Sequence, residues 1–110
     1  MLIRSQNKEL LVNFNVSAGI EIEERNTKTV VTSYITGCSY LLGEYSTKAK
    51  AMKVLDMIQE SYADEKLVDY TTYLQRKEIE KMDDSTILAL RNELMKKAVF
   101  QMPEDSEVEV

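Results

Sequence analysis

The chain has 110 residues, of which 44% are hydrophobic and 30% charged, and these values are typical of one globular domain. A domain of this size buries a core without a metal or a disulfide, and the single cysteine, Cys38, excludes an intramolecular disulfide. No apolar stretch reaches the roughly 20 residues of a membrane span or has the form of a signal peptide, so we expect a cytoplasmic location and no membrane partner.

The formal charge of −5 comes mostly from the C-terminal end. Residues 104–110 carry four carboxylates and no base, whereas the rest of the chain carries 15 acidic and 14 basic side chains. Nucleic-acid binders usually present a strongly basic face, so direct binding to nucleic acid is not expected. The C-terminal residues are predicted to form a disordered acidic tail. The alternatives are docking on a partner's basic groove or strand addition to a partner's edge.

The first 45 residues have the pattern of β-strands. Apolar runs, an apolar–acidic alternation and a run of β-branched residues follow one another between short polar turns. The candidate strands are residues 1–5, 10–14, 20–23, 29–36 and 39–45. Successive strands joined by short turns predict an antiparallel meander of four to five strands.

A helical period replaces the strand pattern after residue 45. Ser46 or Thr47 can cap a helix whose apolar face is formed by Ala51, Leu55, Ile58 and Tyr62. Residues 65–82 contain neither proline nor glycine and are predicted to be helical too. The run Asp83-Asp84-Ser85 predicts the start of a further helix.

Strand character returns at residues 98–103, and Pro103 ends it. The pattern as a whole predicts an α+β fold, in which the meander packs against two to three helices. The predicted domain covers residues 1–103, with the meander over 1–45, helices over 46–97 and a short strand over 98–103. The acidic tail at 104–110 follows it.

Three segments carry distinctive short motifs. They are Met1–Asn7 with its IRSQ run, Leu42–Lys48 with its LG-Y-S pattern leading into Val54–Ile58, and Val99–Asp105 with Met-Pro before acidic residues. Together they resemble a family of small uncharacterised proteins carried by phages, prophages and integrative elements of low-GC Gram-positive bacteria. The resemblance covers about half of the chain and does not extend to residues 64–97. It implies an accessory gene on a mobile element and supplies no catalytic residue.

The sequence lacks the residue types on which most catalytic sites depend. It has no histidine, which excludes Ser-His and Cys-His pairs and most zinc sites. Three scattered glycines exclude a phosphate-binding loop, and no cofactor is expected. Cys38 has no histidine as a base partner and is predicted to be inert. Carboxylates near Asp83 leave a metal-dependent enzyme as an alternative, although the spacing of a cation-binding loop is missing.

A protein that works by surface contact is the interpretation these residues favour. Tyrosine joins apolar area to a polar tip and is enriched at binding hot spots, and carboxylates can replace phosphates on a basic surface. The predicted partner-binding residues are Glu21, Glu23 and Glu24, Tyr70 and Tyr73, and Glu104, Asp105, Glu107 and Glu109. The tyrosines that are instead predicted to close the edge of the core are Tyr34, Tyr45 and Tyr62.

The expected partner is a host protein, and the chain is predicted to be a non-enzymatic accessory factor. In its sharpest form the hypothesis is an inhibitor of a host defence system, such as an anti-CRISPR protein that binds a CRISPR nuclease. One alternative is a nucleic-acid-associated regulator that uses Lys48, Lys50 and Lys53 or the lysines at 77 and 81. A homodimer through the helical stretch after residue 64 is a further prediction.

Overall fold

Strands fill the first part of the chain and helices most of the second. The computed structural model describes residues 1–74 and 83–110. The strands are β1 (Leu2–Arg4), β2 (Leu11–Asn13), β3 (Gly19–Arg25), β4 (Lys28–Ile35), β5 (Cys38–Tyr45) and β6 (Val99–Gln101). The helices are α1 (Lys48–Leu74) and α2 (Asp84–Lys97), with short 3₁₀ turns at Phe14–Val16 and Asp105–Glu107. The predicted α+β class is confirmed.

The strands divide between two three-stranded sheets. The larger sheet has the order β3-β4-β5 and is antiparallel throughout. It is a meander of three strands and not of the predicted four to five, because β1 and β2 belong to the other sheet. The smaller sheet has the order β2-β1-β6, with β1 antiparallel to β2 and parallel to β6. The predicted C-terminal strand therefore exists as β6, and it joins the first strand of the chain rather than the meander.

Two-residue turns join the strands of the larger sheet. In the β4–β5 turn, Thr36 and Gly37 both have positive φ, at 49° and 83°. This is the type I′ geometry whose twist matches that of paired strands, and Gly37 supplies it without strain. Further along the hairpin, Val31 lies opposite Gly43 whereas Thr32 lies opposite Leu41, so Leu42 is the extra residue of a β-bulge.

Both helices begin where the capping residues predict. Thr47 Oγ1 accepts from Lys50 N–H at 3.2 Å and caps α1. Asp83 Oδ1 accepts from Thr86 N–H at 2.8 Å and caps α2, and its hydrogen bonds to Thr86 hold the pKa of Asp83 below its ordinary value. Within the described ranges, no helix combines the length and the apolar character needed to cross a membrane.

One core lies between α1 and the inner faces of the two sheets. From α1, Ala51, Val54 and Ile58 are fully buried, and the predicted Leu55 and Tyr62 are half-buried beside them. The sheets and the C-terminal end contribute Ile3, Val12, Val31, Leu42, Tyr45, Met102 and Val108. Full burial of each large aliphatic side chain contributes about 1.5–3 kcal/mol, so this cluster is the main source of stability. The outer face of the β3–β5 sheet is left without a covering from α1.

Candidate partner-binding surfaces

The C-terminal residues 104–110 are packed against the domain, and the predicted disordered tail is wrong. Val108 is only 4% exposed and lies in the core, directly after the 3₁₀ turn Asp105–Glu107. Glu107 Oε1 accepts from Glu104 N–H at 3.2 Å and closes that turn. The buried side chain of Val108 therefore anchors the segment, and side chains of α1 bind the backbone on either side of it.

Asp105 binds at the N-terminal end of α1. Its Oδ1 accepts from Ser46 N–H at 2.8 Å and from Ser46 Oγ at 3.1 Å, and Lys50 Nζ lies 3.5 Å from its Oδ2. The backbone hydrogen bond from Ser46 is the largest of the effects that lower the pKa of Asp105. Ser46 lies two residues before Lys48, the first residue of α1, so the Asp105 carboxylate is held near the positive end of the helix dipole, where an anion is stabilised.

The lysines of α1 serve this same segment. Lys50 Nζ donates to the backbone C=O of Asp105 at 2.9 Å, and Lys53 Nζ donates to the backbone C=O of Glu109. The basic groups that bind the C-terminal segment are thus on this chain itself. Two of the three lysines of the alternative nucleic-acid surface are occupied in the same way, and only Lys48 is fully at the surface without such a contact among the described residues.

The three motifs that resemble mobile-element proteins meet at one point of the fold. The hydroxyl of the fully buried Tyr45 donates to Pro103 C=O at 2.8 Å. Gln6 Nε2 donates to the same carbonyl at 3.1 Å. Burial, followed by the nearby carboxylates of the C-terminal segment, raises the pKa of Tyr45. Tyr45 packs in the core, as predicted, and its hydroxyl is enclosed as well, so these motifs form a junction between sheet, helix and C-terminal segment.

The predicted acidic residues of β3 lie along an exposed sheet edge. Glu21 and Glu23 share the outer face, as their spacing predicts, whereas Glu24 points to the opposite face at the end of the strand. Arg25 donates to Glu23 at 3.0 Å, and this hydrogen bond, followed by the charge of Arg25, lowers the pKa of Glu23. Part of the predicted acidic surface is therefore neutralised locally.

The nine predicted residues do not form one surface. Glu104, Asp105 and Glu107 stabilise a turn and its attachment to α1, while the carboxylates of β3 lie at the sheet edge opposite β5. Glu109 joins the attachment through its backbone. Tyr70 and Tyr73 fall in the last turns of α1, and their side chains lie outside the described residues. The lysines at 77 and 81 and the second half of the helical stretch predicted over 65–82 lie outside them too.

The apolar part of the outer sheet face was missed by the sequence analysis. Tyr34 is 45% exposed and Leu41 is 44% exposed, so Tyr34 does not close the core as predicted. Tyr34 lies opposite Ser39 and Thr32 lies opposite Leu41, which makes Tyr34 and Leu41 diagonal neighbours on this face. Tyr34 lies on the face of β4 opposite the core residue Val31. The sequence hides this because residues 29–33 of this central strand are all buried, so the strand shows no apolar–polar alternation.

The other half of the outer face is charged and internally paired. Arg25 lies 3.0 Å from Glu23, and Lys28 Nζ lies 3.4 Å from Glu44 Oε2. With Glu21, this face carries three carboxylates and two bases. The outer face is therefore a nearly neutral surface with an apolar end at Tyr34 and Leu41.

A separate apolar groove of about 390 Å³ lies where α1 crosses β3. Its walls are Phe14, Ile20, Leu55, Ile58, Gln59 and Tyr62. The rings of Phe14 and Tyr62 are 4.9 Å apart between centroids, and Lys66 Nζ lies 5.3 Å from the Tyr62 ring centroid. Tyr62 therefore closes the edge of the core, as predicted. In the part of the chain that the structure describes, no group of three or more Cys, Asp and Glu side chains is placed to hold a metal ion.

Comparison with protein-family models, with curated protein sequences and with solved structures gave no match. The resemblance of the three motifs to proteins of mobile elements therefore stays a prediction. The surfaces themselves are the basis for a functional proposal.

Proposed function

We propose that this chain is a non-enzymatic factor that binds a protein partner on the outer face of the β3–β5 sheet. The observation that supports this function best is the exposure of Tyr34 and Leu41 as neighbours on the face that α1 leaves uncovered. A tyrosine beside an aliphatic side chain offers a large apolar contact with a polar tip, and such anchors dominate the binding energy of protein interfaces.

The charges around these anchors indicate the chemistry of the partner. Glu23 and Glu44 each form an ion pair with a base within 3.4 Å. Among the described residues of this face, Glu21 is the carboxylate that has no ion pair. Because this face is nearly neutral, it attracts the basic channel of a nucleic-acid-binding protein only weakly. The partner is therefore an apolar surface with one basic group opposite Glu21, and the contact is held by shape and apolar burial.

The partner in the sharpest form of the proposal is a cytoplasmic host defence protein such as a CRISPR nuclease. The support for this form is the resemblance of the IRSQ, LG-Y-S and Met-Pro motifs to proteins of mobile elements. An inhibitor with this surface would cover an apolar region that the host protein needs, since the Asp105 carboxylate is already bound to Ser46 and Lys50 and is not free to replace a phosphate.

The test is capture of the partner from a lysate of the natural host, with identification by mass. We expect one protein to be retained by the wild-type chain and lost with Tyr34→Arg and with Leu41→Arg. Leu11→Arg is the matched control, because Leu11 is an exposed leucine on the outer face of the other sheet. Retention of the captured protein by both outer-face variants contradicts the proposal.

The non-catalytic part of the proposal has its own test. Turnover of a small substrate by the purified chain, abolished by a change of Cys38 or of one carboxylate, contradicts it. Thermal stabilisation by Mg²⁺ or Mn²⁺ in excess would point to the same alternative, since a bound ion stabilises the folded state by mass action.

A further inference from the structure

The outer edge of β5 is closed over one part of its length and open over the rest. Gln6 N–H donates to Leu42 C=O at 2.7 Å, and the Gln6 side chain bonds both backbone groups of Glu44. Gln6 thus replaces a neighbouring strand over residues 42–44. β5 is the edge strand of its sheet, and among the described residues no segment pairs in this way with residues 38–41.

The alternation of hydrogen-bonded and non-hydrogen-bonded residue pairs along the hairpin identifies which backbone N–H and C=O groups of β5 point away from β4. The two-residue turn makes Ile35 and Cys38 the first bonded pair of the hairpin, and bonded and non-bonded pairs alternate from there. The backbone groups of Ser39 and Leu41 therefore point outward, while those of Tyr40 point towards β4. The extra residue of the β-bulge, Leu42, shifts the alternation by one, so Glu44 is expected to face outward, and its bonds to Gln6 agree with this.

This open stretch is self-complementary. We propose that two copies of the chain pair antiparallel through it, about a two-fold axis at Tyr40, to form one six-stranded sheet. Ser39 then lies opposite Leu41 of the second copy, which allows four N–H···O bonds, and Tyr40 lies opposite its own counterpart as an aromatic cross-strand pair. Tyr40 is 38% exposed and available for this contact.

Charge selects β5 rather than β3 for the contact with a second copy. Residues 38–42 carry no charge, so self-pairing brings no like charges together. The other edge, β3, carries Glu21, Glu23, Glu24 and Arg25, and charged side chains on an edge strand oppose pairing with another copy. The length of the open stretch also fits this pairing. The turn at Thr36-Gly37 of one copy lies opposite residues 43–44 of the other copy, where Gln6 already occupies the strand edge and pairing ends.

The proposal goes beyond the proposed function and does not depend on it. Pairing about Tyr40 leaves the outer faces of both copies uncovered and places them side by side. A monomer keeps one copy of the face around Tyr34 and Leu41, so loss of the dimer and loss of partner binding are separate outcomes.

Sedimentation equilibrium of the wild-type chain and two proline variants tests the dimer. We expect twice the chain mass of 12.7 kDa for the wild type and the chain mass for Ser39→Pro. This proline removes an outward N–H that makes no bond within the copy, so the circular dichroism spectrum of the monomer should match that of the wild type. Its melting temperature should not depend on protein concentration, whereas that of the dimeric wild type should rise with concentration. Glu24→Pro, which removes an outward N–H from β3, should remain dimeric. A monomeric wild type, or a dimeric Ser39→Pro, overturns the proposal.

A disulfide test locates the axis without weakening the strand. In a Cys38→Ser background, Tyr40→Cys should form a covalent dimer under mild oxidation, because directly opposed residues of a non-bonded antiparallel pair lie within disulfide distance. Leu11→Cys in the same background is the control and should stay uncrosslinked. Equal crosslinking of the two variants overturns the assignment of the axis to Tyr40.

Discussion

The side-chain amide of Gln6 pairs with the backbone of Glu44 as a neighbouring strand would. Its Oε1 accepts from Glu44 N–H at 2.9 Å, and its Nε2 donates to Glu44 C=O at 3.1 Å. Because Nε2 also donates to Pro103 C=O, the same residue connects the sheet edge with the C-terminal segment. Gln6 therefore determines both where β5 is open and how the chain ends are held together.

Removal of this amide should destabilise the fold. Gln6→Ala deletes hydrogen bonds to two backbone groups of Glu44 and to Pro103, and we expect a loss of about 1–3 kcal/mol in the free energy of unfolding by urea. Gln59→Ala, on the exposed surface of α1, is the matched control and should change it by less than about 0.5 kcal/mol. Equal effects of the two substitutions would show that the contacts of Gln6 contribute nothing specific.

The buried hydroxyl of Tyr45 should make the protein sensitive to alkali. Its pKa is raised above the ordinary value of 10.0 in the folded state, mainly by burial, so the unfolded state loses its proton first. Stability from this group is complete below pH 10 and falls as the pH rises above it.

We expect Tyr45→Phe to cost about 1 kcal/mol at neutral pH, from the lost bond to Pro103, and to flatten the alkaline loss of stability. Urea unfolding across the alkaline range measures both effects. The same slope in the wild type and in Tyr45→Phe would contradict the assignment.

Attachment of the C-terminal segment should depend on Val108. Val108→Ala removes a buried side chain and should lower the free energy of unfolding by about 1–3 kcal/mol. Val110→Ala is the matched control, because Val110 is 78% exposed two residues later, and it should have almost no effect. Limited proteolysis should then cut residues 104–110 faster in the Val108 variant alone. Rapid cleavage of the wild-type segment would mean that it is not packed.

Acid should release the same segment. Hydrogen bonds from Ser46 and the charge of Lys50 lower the pKa of Asp105 below its ordinary value of 3.8. The stabilisation is therefore present above that value and is lost as the pH falls through the lower folded pKa. We expect Asp105→Asn to be less stable than wild type at neutral pH and to show a smaller loss in acid, measured by urea unfolding. Parallel acid profiles for the two proteins would contradict this contact.

Local chemistry explains the parts of the fold that the sequence predicts. The helix cap at Asp83 is formed within three residues of the chain. The alternation of apolar and acidic residues around Ile22 indicates a strand with one face towards the core. Both are set by neighbours in the chain, so a local pattern is enough to reveal them.

The missed features depend on contacts between distant residues. Ile3 pairs with Phe100 from the other end of the chain, and no pattern near either residue announces that partner. Val108 is one apolar residue in an acidic run, and it is buried where Lys50 and Lys53 of α1 donate to the backbone carbonyls of Asp105 and Glu109. From composition alone, residues 104–110 are therefore predicted to be a disordered tail. The exposure of Tyr34 is hidden for a related reason, because residues 29–33 of the central strand β4 are buried on both faces.

The measurement that tests the proposed function most directly is the affinity of the captured partner at low salt and at about 0.15 M salt, for wild type and Tyr34→Ala. Apolar anchoring predicts a dissociation constant that changes by less than about threefold with salt, because few ions are released on binding. It also predicts at least about a tenfold loss in Tyr34→Ala, which corresponds to the 1.4 kcal/mol or more of a hot-spot residue. A steep salt dependence together with unchanged affinity in Tyr34→Ala would contradict a binding site on the outer sheet face.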